Sequence, residues 1–271
     1  MTSGTRTVVE LDPNGFNELR MCRSGPMIYN KNDIYVGGSL RKYGEYSISE
    51  QEIFGQIVGP GMLVVEVGAN IGGHTVQLAR AVGHEGEVHA FEPQRIVFQT
   101  LCANLALNQI TNVYARQMAV GAAAGEAVVP ASDPSVRRNF GGISLGGKVG
   151  EVVPLVTLDG FDLPACHMLK ADVEGMEADV LLGASTTIER YRPVMYLEND
   201  RRERSPELLT LVGRLDYSAY WHLAPLFNAK NFAGDPEDIF NNVFSANILC
   251  IPKESKLVVR GLRPVASAMD W

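Results

Sequence analysis

Two groups of residues in this 271-residue chain have the types and spacing to do chemistry. The first is Val65-Glu66-Val67-Gly68-Ala69-Asn70-Ile71-Gly72-Gly73-His74-Thr75, where glycines sit between an apolar run and a helix-like segment. Glycine permits a tight turn and close backbone approach, and the free N–H groups at a helix start can receive a carboxylate. Glu66, at the carboxyl edge of the run, is placed to attract an ammonium group. Glu92 lies 24 residues after Gly68, just before Pro93, where an acidic side chain can accept both hydroxyls of a ribose. S-adenosylmethionine (SAM) combines those three features. In the dinucleotide pattern G-x-G-x-x-G the second glycine lets backbone approach a pyrophosphate, but Asn70 stands in that place here, which favours SAM over NAD.

The second group is acidic. Met168-Leu169-Lys170-Ala171-Asp172-Val173-Glu174-Gly175 and Tyr196-Leu197-Glu198-Asn199-Asp200 each put carboxylates where an apolar run ends. If the first strand persists, alternation places Asp172 and Glu174 on one face, and neighbouring parallel strands, about 4.8 Å apart, bring the two acidic ends together. Methyl transfer needs an oxygen or nitrogen aligned with a sulfonium methyl, and a neutral hydroxyl needs a base or a divalent cation to become a good nucleophile. Asp172, Glu174 and Glu198 are the expected proton acceptors, Asp172 and Glu198 foremost, with Asp200 more solvated. As a cluster of hard oxygen ligands, Asp172, Glu174, Glu198 and Asp200 also permit Mg²⁺, although no metal site is assigned. Of the five histidines, His222 after Trp221 is a further candidate base and His74 is expected beside the cofactor loop; their spacing gives no zinc site.

These residues need a frame, and the chain supplies an alternation of short apolar runs with helix-like segments, the pattern of a mainly parallel sheet covered by helices on both faces. Strands are expected at 62–67, 87–91, 113–118, 152–158, 167–171, 193–197, 217–221 and 242–251. Thr75, Leu78, Ala79 and Val82 fall on one face of a helix, as do Val97, Leu101 and Leu105. Ser205-Pro206 reads as an N-cap followed by a first-turn proline. Residues 121–150, rich in Gly, Ala and Ser, read as short strands or a surface excursion over the site. Phe227, Phe232, Phe240 and Phe244 are weighed as an acceptor pocket or as core. Arg201-Arg202-Glu203-Arg204 reads as a solvated run. The expected division is an N-terminal extension over 1–60 that covers the site, a catalytic domain over 61–254 and a tail over 255–271.

Lys and Arg number 24 against 31 Asp and Glu, a formal charge of −7, which argues against nucleic acid or anionic membranes as partners and for a small hydroxylated substrate. The four dispersed cysteines and the absence of a signal-like or membrane-spanning apolar run suggest the cytoplasm. A homo-oligomer is compatible with this composition.

At these residues the chain resembles the FkbM family of SAM-dependent methyltransferases, over roughly Tyr29 to Ile251. The resemblance is carried by Val65 to Gly72, Phe91-Glu92-Pro93 and Lys170 to Gly175; upstream, Tyr43-Gly44-Glu45-Tyr46-Ser47 with Glu50 is similar to the family's entry segment, with Tyr46 where tryptophan is more usual. It implies a seven-stranded Rossmann-like α/β sheet, mostly parallel with the last strand antiparallel, and O-methylation of sugars or other hydroxylated metabolites. It places Gly68, Asn70, Gly72 and Glu92 on SAM, with Tyr43 and Glu45 closing over it; Glu66, His74, Thr75, Pro93 and Ala119 complete the expected cofactor site. Analogy with similar folds that hold Mg²⁺ at acids after the corresponding strands gives Asp172, Glu198 and Asn199 as a minority metal set. The rival readings are an NAD-dependent oxidoreductase and a non-catalytic SAM-binding module.

Overall fold

The computed structural model describes residues 8–271. Strands β1 (Val8–Glu10), β2 (Asn17–Cys22) and β3 (Gly25–Asn30) form a small antiparallel sheet, and two helices, α1 (Val36–Tyr43) and α2 (Ile48–Ile57), follow. Gly44 ends α1 at φ +67°, a left-handed cap that a side chain would strain.

The central frame is β4 (Leu63–Val67), α3 (Thr75–Val82), β5 (Glu87–Phe91), α4 (Arg95–Leu107) and β6 (Val113–Arg116), with the three strands parallel. An excursion through β7 (Ala119–Val120), β8 (Gly125–Pro130) and β9 (Gly150–Val156) makes a separate three-stranded sheet. The chain returns with β10 (Met168–Ala171), α5 (Glu177–Leu182), α6 (Ser185–Tyr191), β11 (Val194–Glu198), α7 (Ser205–Arg214), β12 (Tyr217–Pro225), β13 (Phe244–Pro252) and β14 (Arg263–Pro264).

The main sheet runs β14-β12-β13-β11-β10-β4-β5-β6. It therefore has eight strands rather than the expected seven, and two of them, β13 and β14, oppose their neighbours instead of one. The added strand comes from residues 255–271, which run back along the edge until Trp271 stacks on Trp221 with ring centroids 5.6 Å apart. The strand expected at 152–158 forms as β9, outside the main sheet: its burial is patchy and Val152 is exposed, whereas β4, β10 and β11 are buried on both faces. Ser205 begins α7 as a helical residue instead of capping it, because its hydroxyl accepts a bond from Asn199 Nδ2 at 3.0 Å.

Alternation splits the core. Val65, Val67, Leu169, Ala171, Met195 and Leu197 face one side, packing with residues of α5 and α7, while Val64, Met168 and Tyr196 face the other with Phe54 of α2 and Leu78 and Val82 of α3. Each aliphatic side chain buried in this way contributes about 1.5–3 kcal/mol. Glu66 and Lys170 follow Val64 and Met168 at two-residue spacing, so they share the face beneath α2 and α3. No helix among the described residues is long and apolar enough to cross a membrane.

Candidate active site

All of the parallel strands point their carboxyl ends to one rim, and the loop leaving β4 is folded tightly there. Gly68 has φ +81°, and a Cβ on it would collide with the Asp172 carbonyl, so glycine is required for β10 to approach. Asn70 also takes a left-handed φ of +50°; its backbone N–H donates to Glu92 Oε2 at 3.0 Å, and Gln94 N–H donates to Glu92 Oε1 at 2.8 Å. One buried carboxylate thus ties the loop after β4 to the loop after β5. Burial pushes the Glu92 carboxyl up to about 7 against those two bonds. Asn104 of α4 anchors the loop from behind, donating to the carbonyls of Ile71 and Ile28.

In front of this loop lies a cavity of about 300 Å³. Gly68, Ala69, Asn70, Gly73, His74 and Glu92 form one wall. Lys170, Asp172 and Glu174 from the end of β10, with Glu198, Asp200 and Arg201 from the end of β11, form the floor. Tyr35, Val36 and Tyr46 close it from the N-terminal side, Asn139, Gly141 and Gly142 from the excursion, and Leu226 and Val243 from the β12–β13 connection, with Phe244 and Ser245 at the start of β13. A smaller hollow beside it, walled by Pro93, Met118, Ala119, Ile143 and Leu145, shares Glu92 and Asp172 with the cavity.

The acids differ in their partners. Lys170 Nζ donates to Asp172 Oδ2 at 3.3 Å. Glu174 pairs with Arg201, yet burial and the Asp172 charge push it up to about 7. Glu198 has an oxygen, Oε2, buried without a partner, and burial followed by the charges of Asp172, Glu174 and Asp200 raises it well above the carboxylate range. Crowded carboxyls of this kind share protons instead of ionising together.

A model of the methyltransferase FkbM domain matches residues 66–218, more than half of the chain. The chain belongs to the FkbM methyltransferase family. Among solved structures it is similar to methyltransferase FkbM from Methylobacillus flagellatus KT, at 18% identity over 74% of this chain and 50% of that one, with a TM-score of 0.47. It thus spans half the length of that relative. The O-methyltransferase TomG from Streptomyces achromogenes, solved in complex with SAM, is 15% identical over 74% of this chain and 76% of its own, with a TM-score of 0.43. Fibrillarin from Aeropyrum pernix, with natively bound SAM, is 12% identical over 90% and 98%, with a TM-score of 0.47. A search of curated proteins returned no match.

In this member of the FkbM family, Gly68, Asn70, His74, Glu92, Asp172, Glu174 and Glu198 share the one cavity, and Pro93 and Ala119 line the hollow beside it. The remaining expected residues lie elsewhere. Glu66 is buried under the loop, accepting the Thr75 hydroxyl at 2.7 Å, and Gly72 turns the chain against Leu101 at φ +89°. The Tyr43 hydroxyl donates to the Glu237 carbonyl and accepts from Ile239 N–H. Glu45 pairs with Arg23 and accepts from Asn228 and the Phe232 N–H. Both hold the β12–β13 connection in place. His222 is off the cavity, with both ring nitrogens engaged: Tyr196 Oη at 2.6 Å and Ser49 Oγ at 2.8 Å. Of the four phenylalanines only Phe244 lines the cavity; Phe227 and Phe240 pack on Tyr43.

Arg201, read from sequence as solvated, forms ion pairs with Glu174 and Asp200 inside the cavity. Tyr35, Asn139, Gly141 and Gly142 had no local signal, because only the tertiary fold brings their loops over the rim.

The residues around the cavity are of the kinds SAM would need: carboxylates for its cationic end, a tight glycine loop, a buried acid at the end of β5 and an apolar hollow beside it. The metal set does not assemble as expected. Asn199 turns away to Ser205, and the carboxylates that converge within 4.8 Å are Glu174, Glu198 and Asp200, two of them already sharing the Arg201 guanidinium. The set expected from sequence is therefore not the one the fold assembles.

Proposed function

We propose that this chain transfers the methyl group of SAM to a hydroxyl of a small metabolite such as a sugar. The observation that carries the reading is a single cavity in which the glycine loop and Glu92 share the lining with Asp172 and with Glu198, one of whose carboxyl oxygens has no partner.

The residues divide the work by their partners. The loop from Gly68 to Gly73 and Glu92 take the aminoacyl and ribose parts, and the hollow at Pro93 and Ala119 takes the adenine. SAM, when bound, supplies an electrophilic sulfonium methyl. Asp172, whose Oδ2 already meets the Lys170 ammonium, serves as a counter-charge to the cofactor's cationic end. Glu198 has an oxygen without a protein partner, so in its carboxylate form it takes the hydroxyl proton as the O–CH₃ bond forms and the S–CH₃ bond breaks. Holding the two reactants in line supplies much of the rest of the rate.

The test is incubation with methyl-labelled SAM and a library of hydroxylated metabolites, read by mass. A one-methyl gain on a hydroxyl, lost in Glu198→Gln, is the expected result. Labelling confined to amines, or no labelling of any member, would remove the O-methyl assignment.

A further inference from the structure

Lys170 has entered so far only as the partner of Asp172, yet it is 1% exposed, in the middle of the sheet. Its backbone is in register with Glu66 on β4 and Tyr196 on β11, so all three side chains share the face under α2. Nζ lies 3.3 Å from Asp172 Oδ2 and 3.9 Å from Glu66 Oε1. Glu50 of α2, which bonds His74 at 3.2 Å, is also close enough to act on it by charge.

We propose that Lys170 is a positioning residue for the cofactor: its buried ammonium fixes the Asp172 carboxylate at the rim in the orientation that meets SAM's cationic end. The inference rests on the role given to Asp172 under the proposed function.

A buried ammonium is tolerated only when its charge is answered, and two carboxylates answer this one. Burial pulls the amine down, but Asp172, Glu66 and Glu50 more than reverse that, so it stays charged. The two acids are not equivalent. Glu66 is 1% exposed and ends on Thr75, so it meets no ligand, whereas Asp172 lines the cavity. A lysine needed solely to neutralise Glu66 would have no reason to bond Asp172 more closely. With one oxygen held by Nζ, Asp172 presents the other to the cavity in a fixed direction, and such pre-organisation is felt as ligand affinity.

Calorimetric titration with S-adenosylhomocysteine, alongside thermal melting, separates the two roles. Lys170→Met should weaken binding about 10-fold, the size expected for misplacing one charged contact. It also strands Glu66, so the double variant Lys170→Met with Glu66→Gln is compared with Glu66→Gln alone. The neutral pair should recover the melting temperature and keep the 10-fold weaker binding. In an Asp172→Asn background, Lys170→Met should add no further loss, because its route to the ligand has gone. Undiminished binding in Lys170→Met, recovery of full affinity in the neutral pair, or an additive loss in the Asp172→Asn background would each overturn the proposal. If the unaltered chain ignores S-adenosylhomocysteine, it is the SAM reading itself that fails.

Discussion

The two halves of the cavity are built on different terms. On the β4–β5 side the carboxylate that ties the loops is fully used by the fold: Glu92 accepts two backbone N–H groups, the Asn70 side chain caps Ile71 N–H, and Thr75 bonds one oxygen of Glu66, while Glu66 Oε1 and His74 Nδ1 are left without hydrogen bonds. On the β10–β11 side the groups are crowded and partly unanswered, with Glu198 Oε2 bare and Glu174 raised beside Asp172 and Asp200. A recognition surface for an invariant cofactor can be rigid and satisfied. A surface that moves a proton must keep a carboxyl available, at a cost in stability.

The largest effect expected from that contrast is in Glu198→Gln. Turnover should fall about 10²- to 10⁴-fold, the range for loss of a general base, while S-adenosylhomocysteine binds as before. Equal losses in both measurements would erase the division between halves. Next, Glu92→Gln should weaken S-adenosylhomocysteine by about 10- to 100-fold, as loss of a charge-assisted contact does. Its turnover at saturating SAM should stay close to that of the parent, read from steady-state kinetics.

A smaller effect concerns pH. A carboxyl raised in the folded state above its unfolded value of about 4.5 binds more protons folded than unfolded, so its contribution to stability is present below that value and is lost as pH rises through the folded one. Replacing Glu198 with Gln removes the dependence. Melting curves of the ligand-free proteins from pH 5 to pH 8 should therefore show the variant gaining on the parent as pH rises; a constant gap would mean that the Glu198 carboxyl is not raised. The smallest effect is expected at the rim, where Phe244 is 53% exposed and lines the cavity. Phe244→Ser should raise KM for an accepted hydroxyl substrate several-fold, a change of about 1 kcal/mol, without altering cofactor affinity.

The same contrast governs what the sequence alone discloses. The β4–β5 half is local: β5 forms over 87–91 as its apolar run predicts, the glycines of 68–73 lie next to their strand, and Glu92 ends the following one. The acids at 172, 174 and 198 are equally visible as strand ends. Their relations are not, because β10 stops at Ala171 and Glu174 turns left-handed at φ +56°, so alternation does not apply to it. The Arg201–Glu174 pair joins residues 27 apart, and Tyr43 reaches across 194 residues to Glu237; no periodicity encodes such contacts. Likewise β14 is two residues long, too short to carry a strand pattern.

The central claim is that the loop of β4 and the acid ending β5 form one SAM site, and titration of the purified chain with S-adenosylhomocysteine tests it most directly. One saturable site per chain, lost in Glu92→Ala and not displaced by NAD, is the predicted result. A chain that takes up NAD instead, or neither ligand, would contradict the account.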